Sequence, residues 1–174
     1  MSDRLAHARR CGTAAVLSLA LLASFVGILW AADGTPDTTF AANMGTGFND
    51  FVLSVAVQGD GKIVVGGGFL TLNGVPSNRL ARLNADGTPD TAFTTNLGAG
   101  FNGAVYSVAA QGDGKIVVGG GFTTVNGVTS NHVARLNADG TPDTTFSTSL
   151  GTGFNSTVYS VAMQLNLVSY HCRG

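Results

Sequence analysis

The chain has 174 residues, 25 of them glycine, with 11% charged residues and a formal net charge of -1. It holds no glutamate, two lysines and seven arginines, a balance that gives no reason to expect nucleic acid or acidic substrates as partners. Turn formers with Val, Ile, Thr and Phe between them suit short strands rather than helices, and the length suits one ordinary domain.

In chain order, the first predicted element is an N-terminal apolar segment. Arg4, Arg9 and Arg10 precede Ala14–Ala32, a stretch without charge. A basic start, an apolar run and small residues at Ala31-Ala32 fit an export signal. The run is long enough that an uncleaved membrane anchor is the competing reading, and membrane contact would then pass only through residues 14–32. With the arginines on the N-terminal side, either reading leaves the rest of the chain outside the cytoplasm. The expected location is extracellular, periplasmic or at the cell surface. Cys11 precedes the run and Cys172 lies near the end; no structural disulfide and no metal-ligand pattern is expected from them.

From Asp33 the chain repeats itself. Gln58–Phe69, QGDGKIVVGGGF, returns unaltered at Gln111–Phe122, and Asp33–Ala85 aligns with Asp86–Ala138 at 39 of 53 positions. The expected organisation is an export signal or membrane anchor at 1–32, repeats at 33–85 and 86–138, a partial repeat at 139–164 and an aberrant tail at 165–174. A fixed period of this length points to stacked supersecondary units.

One repeat reads as four short antiparallel strands. Ala104–Gln111 alternates and ends at the Gly112-Asp113-Gly114 turn, from which Lys115–Phe122 returns as a hairpin partner. Ile116-Val117-Val118 is a continuous apolar run, expected for a strand covered on both faces. Thr123–Val125 extends it to a turn at Asn126-Gly127. Asn131–Asn137 makes the third strand, and Thr144–Phe146 is expected as the fourth, with Pro142 at a tolerant outer edge. Four antiparallel strands in about 50 residues describe a propeller blade. The glycine trio Gly119–Gly121 implies close approach of neighbouring backbone rather than a nucleotide loop. The fold class is therefore all-β, with four-stranded antiparallel blades of an incomplete β-propeller, preceded by one N-terminal hydrophobic helix.

The pattern YSVAxQGDGKIVVGGGFTTVNG…ARLNADGTPDTTF resembles the delta-60 repeat, a bacterial repeat family assigned to β-propellers. The resemblance covers Asp33 to about Gln164. It implies an exported or surface-associated propeller with no established enzymatic activity.

Candidate chemistry is sparse. Asn84, Asp86 and Asp90, with Asn137, Asp139 and Asp143 one repeat later, place oxygen ligands at alternate positions, which superficially suits Ca²⁺. The competing reading is that these side chains bond their own backbone in a β-turn, and it is preferred. Asp60 and Asp113, beside Lys62 and Lys115, read as turn formers with local charge pairing. Arg82 and Arg135 are expected to bridge an aspartate of their own or the next blade. His132 replaces Arg79, which speaks against a specific ligand role there. Ser54, Ser107 and Ser160 lack the setting of a nucleophile and read as small residues on a packed face. No catalytic residue, cofactor or metal is expected, calcium standing as the weak exception.

The third copy holds through Gln164 and then reads LNLVSYHCRG where GDGKIVVGGGF belongs. The expectation is a truncation or frameshift, with a genuine short terminus as the alternative. Two blades and a fragment leave edges open, so further blades from a longer chain, or self-association, are expected. The function expected is that of a non-catalytic exported module, structural or for binding an unknown protein or surface ligand, within a longer surface or secreted protein. The alternatives are an enzyme whose site forms only in the complete ring and a calcium-dependent adhesive repeat.

Overall fold

A computed structural model describes residues 35–163. The N-terminal apolar segment, its expected helix, both cysteines, and the tail from 165 lie outside them. No helix of the described residues is long and apolar enough to cross a membrane.

The core of each repeat is a three-stranded antiparallel sheet. In the first, β1 (Val52–Val57), β2 (Ile63–Gly67) and β5 (Leu80–Leu83) lie in the order β1-β2-β5. In the second, β6 (Val105–Ala110), β7 (Ile116–Gly120) and β10 (Val133–Leu136) repeat that order. The middle strands are the IVVGG runs, and every residue of β2 is buried. Each inner strand carries one irregularity, between Val52 and Ser54 and between Val105 and Ser107, where the register slips by a residue.

Turn chemistry joins the strands. In the GDG loop, Gly61 adopts φ 82° while Gln58 N–H donates to Lys62 O at 2.8 Å and Lys62 N–H to Asp60 Oδ1 at 3.1 Å. The segment after the middle strand does not extend it. β3 (Thr71–Leu72) and β4 (Val75–Pro76) form a separate two-stranded ribbon about Asn73-Gly74, as do β8 (Thr124–Val125) and β9 (Val128–Thr129) about Asn126-Gly127. Positive φ at both residues of each Asn-Gly pair turns the chain too sharply for the strand to continue.

The expected fourth strand is corrected to a helix. Pro142 and Pro89 each make a single bridge to the third strand, at Leu136 and Leu83. The chain then enters α2 (Thr91–Leu97) and α3 (Thr144–Leu150), matched before the first sheet by α1 (Thr38–Met44). Asp90 and Asp143 cap the first turns by accepting from Phe93 N–H and Phe146 N–H, and Gly98 and Gly151 close the C-termini with positive φ. In α2, Phe93 and Leu97 stand four apart and are both buried, the spacing that one helical face requires.

The sheets stack face to face, with β6 against both β1 and β2. One core joins Val64 and Leu80 of the first repeat to Phe93, Leu97, Val108 and Ile116 of the second. A Cβ at Gly66 would collide with Val105 Cγ1, and one at Gly67 with the carbonyl of Phe51. Close approach is therefore what the glycine trio permits.

Candidate functional site

The richest polar arrangement lies where the two repeats meet. It is built on Asp90, positioned by the Pro89 bridge and the start of α2. Asp90 Oδ2 accepts from Lys62 Nζ at 2.9 Å and from Arg82 Nε and Nη2, both at 3.0 Å. Its Oδ1 accepts from Phe93 N–H at 3.2 Å. The Arg82 guanidinium also lies over the Phe93 ring, 4.2 Å from its centroid.

Arg82 then reaches the next repeat. Its Nη1 donates to Ala138 O at 2.6 Å and to Gln58 Oε1 at 3.3 Å, while Gln58 Nε2 donates to Gly114 O at 2.9 Å. Two backbone carbonyls of the second repeat are thus held by side chains of the first. Further in, Ser54 Oγ accepts from Val108 N–H at 3.0 Å, and Ser107 Oγ from Val161 N–H at 3.1 Å. An inner-strand N–H that has no ladder partner is satisfied by the serine of the preceding repeat.

The second repeat has its own copy. Asp143 Oδ2 accepts from Lys115 Nζ at 2.8 Å and from Arg135 Nε at 2.9 Å. Among the described residues, the outward half of the arrangement has no counterpart there. Gln111 Oε1 is buried with no hydrogen-bond partner, and the Arg135 side chain is 25% exposed against 8% for Arg82.

The electrostatics follow from these contacts. Burial alone would raise the Asp90 carboxyl, and the hydrogen bonds from Lys62 and Phe93 N–H with the charge of Arg82 outweigh it, leaving it below the ordinary value. For Asp143 the hydrogen bond from Lys115, then that from Thr145, pulls the carboxyl far down against a smaller opposing effect of burial. Lys62 and Arg82 against Asp90 leave one positive charge, which Asp60 on the rim of the same cleft of about 270 Å³ balances. The arrangement can fix two chains of backbone relative to each other. It leaves neither carboxylate Oδ2 free to act as a base.

The calcium candidates are placed apart by function. Asp86 Oδ1 accepts from Thr88 N–H at 3.0 Å and Thr88 Oγ1 at 2.7 Å, and Asn84 Nδ2 donates to the same hydroxyl. Asp139, Thr141 and Asn137 repeat this turn. The Thr88 and Thr141 bonds, hydroxyl first, lower the carboxyls of Asp86 and Asp139. Asp90 and Asp143 face the cations instead. Among the described residues, no three His, Cys, Asp or Glu side chains converge as metal ligands.

Lys62 pairs with Asp90 and not with its neighbour Asp60, which corrects the expected local pairing. The lysine stem spans to the start of α2, where the Asp90 carboxylate is already desolvated. Arg82 and Arg135 bridge aspartates of the following repeat, one of the two pairings expected. His132 Nδ1 lies 3.3 Å from Gly120 O, whereas Arg79 Nη1 donates to Phe101 O at 2.6 Å. Gln58 is the residue that sequence reasoning passed over, and Ser54 and Ser107, read as small packing residues, accept hydrogen bonds from the next repeat. Their partners lie 54 to 56 positions away, about one period, which is the signal that could have found them.

Comparison with known families bears on the same segments. The family described as "Domain of unknown function (DUF5122) beta-propeller" matches residues 58–93 and again residues 111–146. Each match runs from the glutamine before the GDG turn to the phenylalanine of the following helix. No curated protein matches the chain. The matched segments are β-propeller repeats of unknown function.

Proposed function

We propose that the chain is a non-catalytic, exported delta-60-type propeller module with a structural or interaction role, carried within a longer surface or secreted protein. The observation that supports this reading is the use made of its repeated polar residues. Lys62, Arg82, Asp90 and Gln58 hold one repeat to the next, and Ser54 does the same nearer the inner edge. The residue types that could serve acid–base or nucleophilic chemistry are engaged in construction twice over. A fold of this kind hosts many functions; that engagement and the basic-then-apolar N-terminus support this one.

Asp90→Ala tests it. A carboxylate held for function is commonly replaced with no loss of stability or with a gain, because functional groups are kept at a cost to the fold. A structural carboxylate with two cations on it is not. Thermal and urea unfolding of the Asp90→Ala chain are expected to show a large loss. An unchanged or raised melting temperature would overturn the reading.

A further inference from the structure

Three Asn-Gly pairs stand among the described residues: Asn73-Gly74, Asn102-Gly103 and Asn126-Gly127. In such a pair the glycine offers its backbone nitrogen to the neighbouring side-chain amide, and no Cβ hinders the approach. The dipeptide is the same in all three places. What differs is how each amide is held.

Asn102 is held hardest. Its Oδ1 accepts from Thr123 N–H at 2.8 Å and Thr124 N–H at 2.9 Å, and its Nδ2 donates to Thr123 Oγ1 at 2.8 Å. Gly103 is pressed against the chain, since a Cβ there would meet Gly121 O at 2.7 Å. Asn73, at the tip of the β3-β4 ribbon, is half-buried and held by two bonds to Oδ1, from Gly47 N–H at 2.9 Å and Thr46 Oγ1 at 3.2 Å. Asn126, at the tip of the β8-β9 ribbon, is exposed, and among the described residues one bond holds its amide, from Ala99 N–H at 3.0 Å. A single difference separates the two tips: Ala99 stands 53 positions after Thr46 and brings no hydroxyl. The backbone is otherwise alike, with φ 53° and 76° at Asn73-Gly74 and 48° and 78° at Asn126-Gly127. Both tip glycines are exposed with nothing within 4 Å of a Cβ. Neither glycine N–H and neither asparagine Nδ2 has a hydrogen-bond partner among the described residues.

We propose that Asn126-Gly127 is a self-modification site, where the side-chain amide is lost as ammonia, and that Asn73 and then Asn102 follow more slowly in the folded chain. The Gly127 nitrogen gives its proton to hydroxide and forms a bond to Asn126 Cγ, the carbonyl electron pair moving onto Oδ1. Collapse of that tetrahedral centre breaks the Cγ–Nδ2 bond. Ammonia departs with a proton taken from water, hydroxide is regenerated, and a five-membered succinimide remains. Water then opens the ring at either carbonyl, giving aspartate or isoaspartate; one water is consumed, one ammonia released, and nothing is oxidised or reduced. Each bond on the amide must be released before Cγ can reach the glycine nitrogen, so each slows the step by roughly two- to tenfold. The aspartate product keeps an acceptor for Ala99 N–H. The isoaspartate product adds a methylene to a two-residue turn and strains the Asn126 N–H to Gly100 O bond of 2.8 Å.

Incubation of the full chain in mildly alkaline buffer, followed by peptide mapping for the mass gain of an amide turned acid, tests this. The same incubation in concentrated urea supplies the rate of each pair freed from the fold. The three should react at similar rates in urea, and in the order Asn126, Asn73, Asn102 when folded. Ala99→Thr, at an exposed position, should slow Asn126 by roughly two- to tenfold, and Thr46→Ala should speed Asn73 as much. Equal rates in the folded chain, any other order, or an Asn126 that stays intact while the urea-treated chain is converted overturns the proposal. So does a rate at Asn126 indifferent to Ala99→Thr. The order in the unsubstituted chain needs no variant, so it decides the matter even where a substitution disturbs folding.

Discussion

Asp90 and Asp143 do the same work in different surroundings, and that difference can be measured. Asp90 is 9% exposed with Arg82 at 8%, whereas Asp143 is paired with an Arg135 that is 25% exposed. Removing one member of a buried ion group strands the others, at about 3–5 kcal/mol. Asp90→Ala is expected in that range by urea unfolding, and Asp143→Ala at roughly half of it, because water reaches the cations it would strand. Both carboxyls sit below their ordinary value when folded. A depressed folded pKa gives stability that is complete above the unfolded value, about 4, and is lost as pH falls through the folded one. The urea midpoint should therefore hold from roughly pH 8 to 5 and decline below about pH 4. A midpoint that rises on acidification would contradict the geometry.

At the scale of the element, the short helices are the instructive case. Leu97 in α2 is 1% exposed within the joint between the repeats, while Met44 in α1 is only half-buried. Leu97→Ala should cost about 2–5 kcal/mol and Met44→Ala less than half as much, as measured by chemical unfolding. Equal costs would mean that α1 is as well covered in solution as α2. These helices also mark where the sequence was hard to read. The GDG and Asn-Gly turns and the IVVGG strands were legible because each is a local signal, and the period of 53 because the copies match so closely. The TTF and TAF segments carry β-branched and aromatic residues that suit a strand, and they follow a strand-like Pro. The cue that outweighs this is an aspartate three residues before a phenylalanine, then an apolar residue four further on and a glycine. Its force depends on a neighbouring sheet against which to bury that face. The polar joint was hidden for a related reason. Gln58 and Ser54 look unremarkable within one repeat, and their partners lie in the repeat alongside.

For the molecule as a whole, protection from solvent should run in one direction. β1 shows exposed or half-buried residues throughout, whereas β6 is held between β1, β2 and the start of the third repeat. Amide exchange of β6 is expected to be about tenfold or more slower than that of β1, because opening β6 breaks two joints. Comparable rates would show that the repeats do not support one another. The joint itself has an implication for descent. Because a single 53-residue unit encodes both sides of the contact, a DNA slippage event that copies or deletes one unit leaves every remaining seam intact. Such a gene can change its length without inventing a new surface, and lineages carrying it should differ in copy number far more readily than in the residues that line the seam.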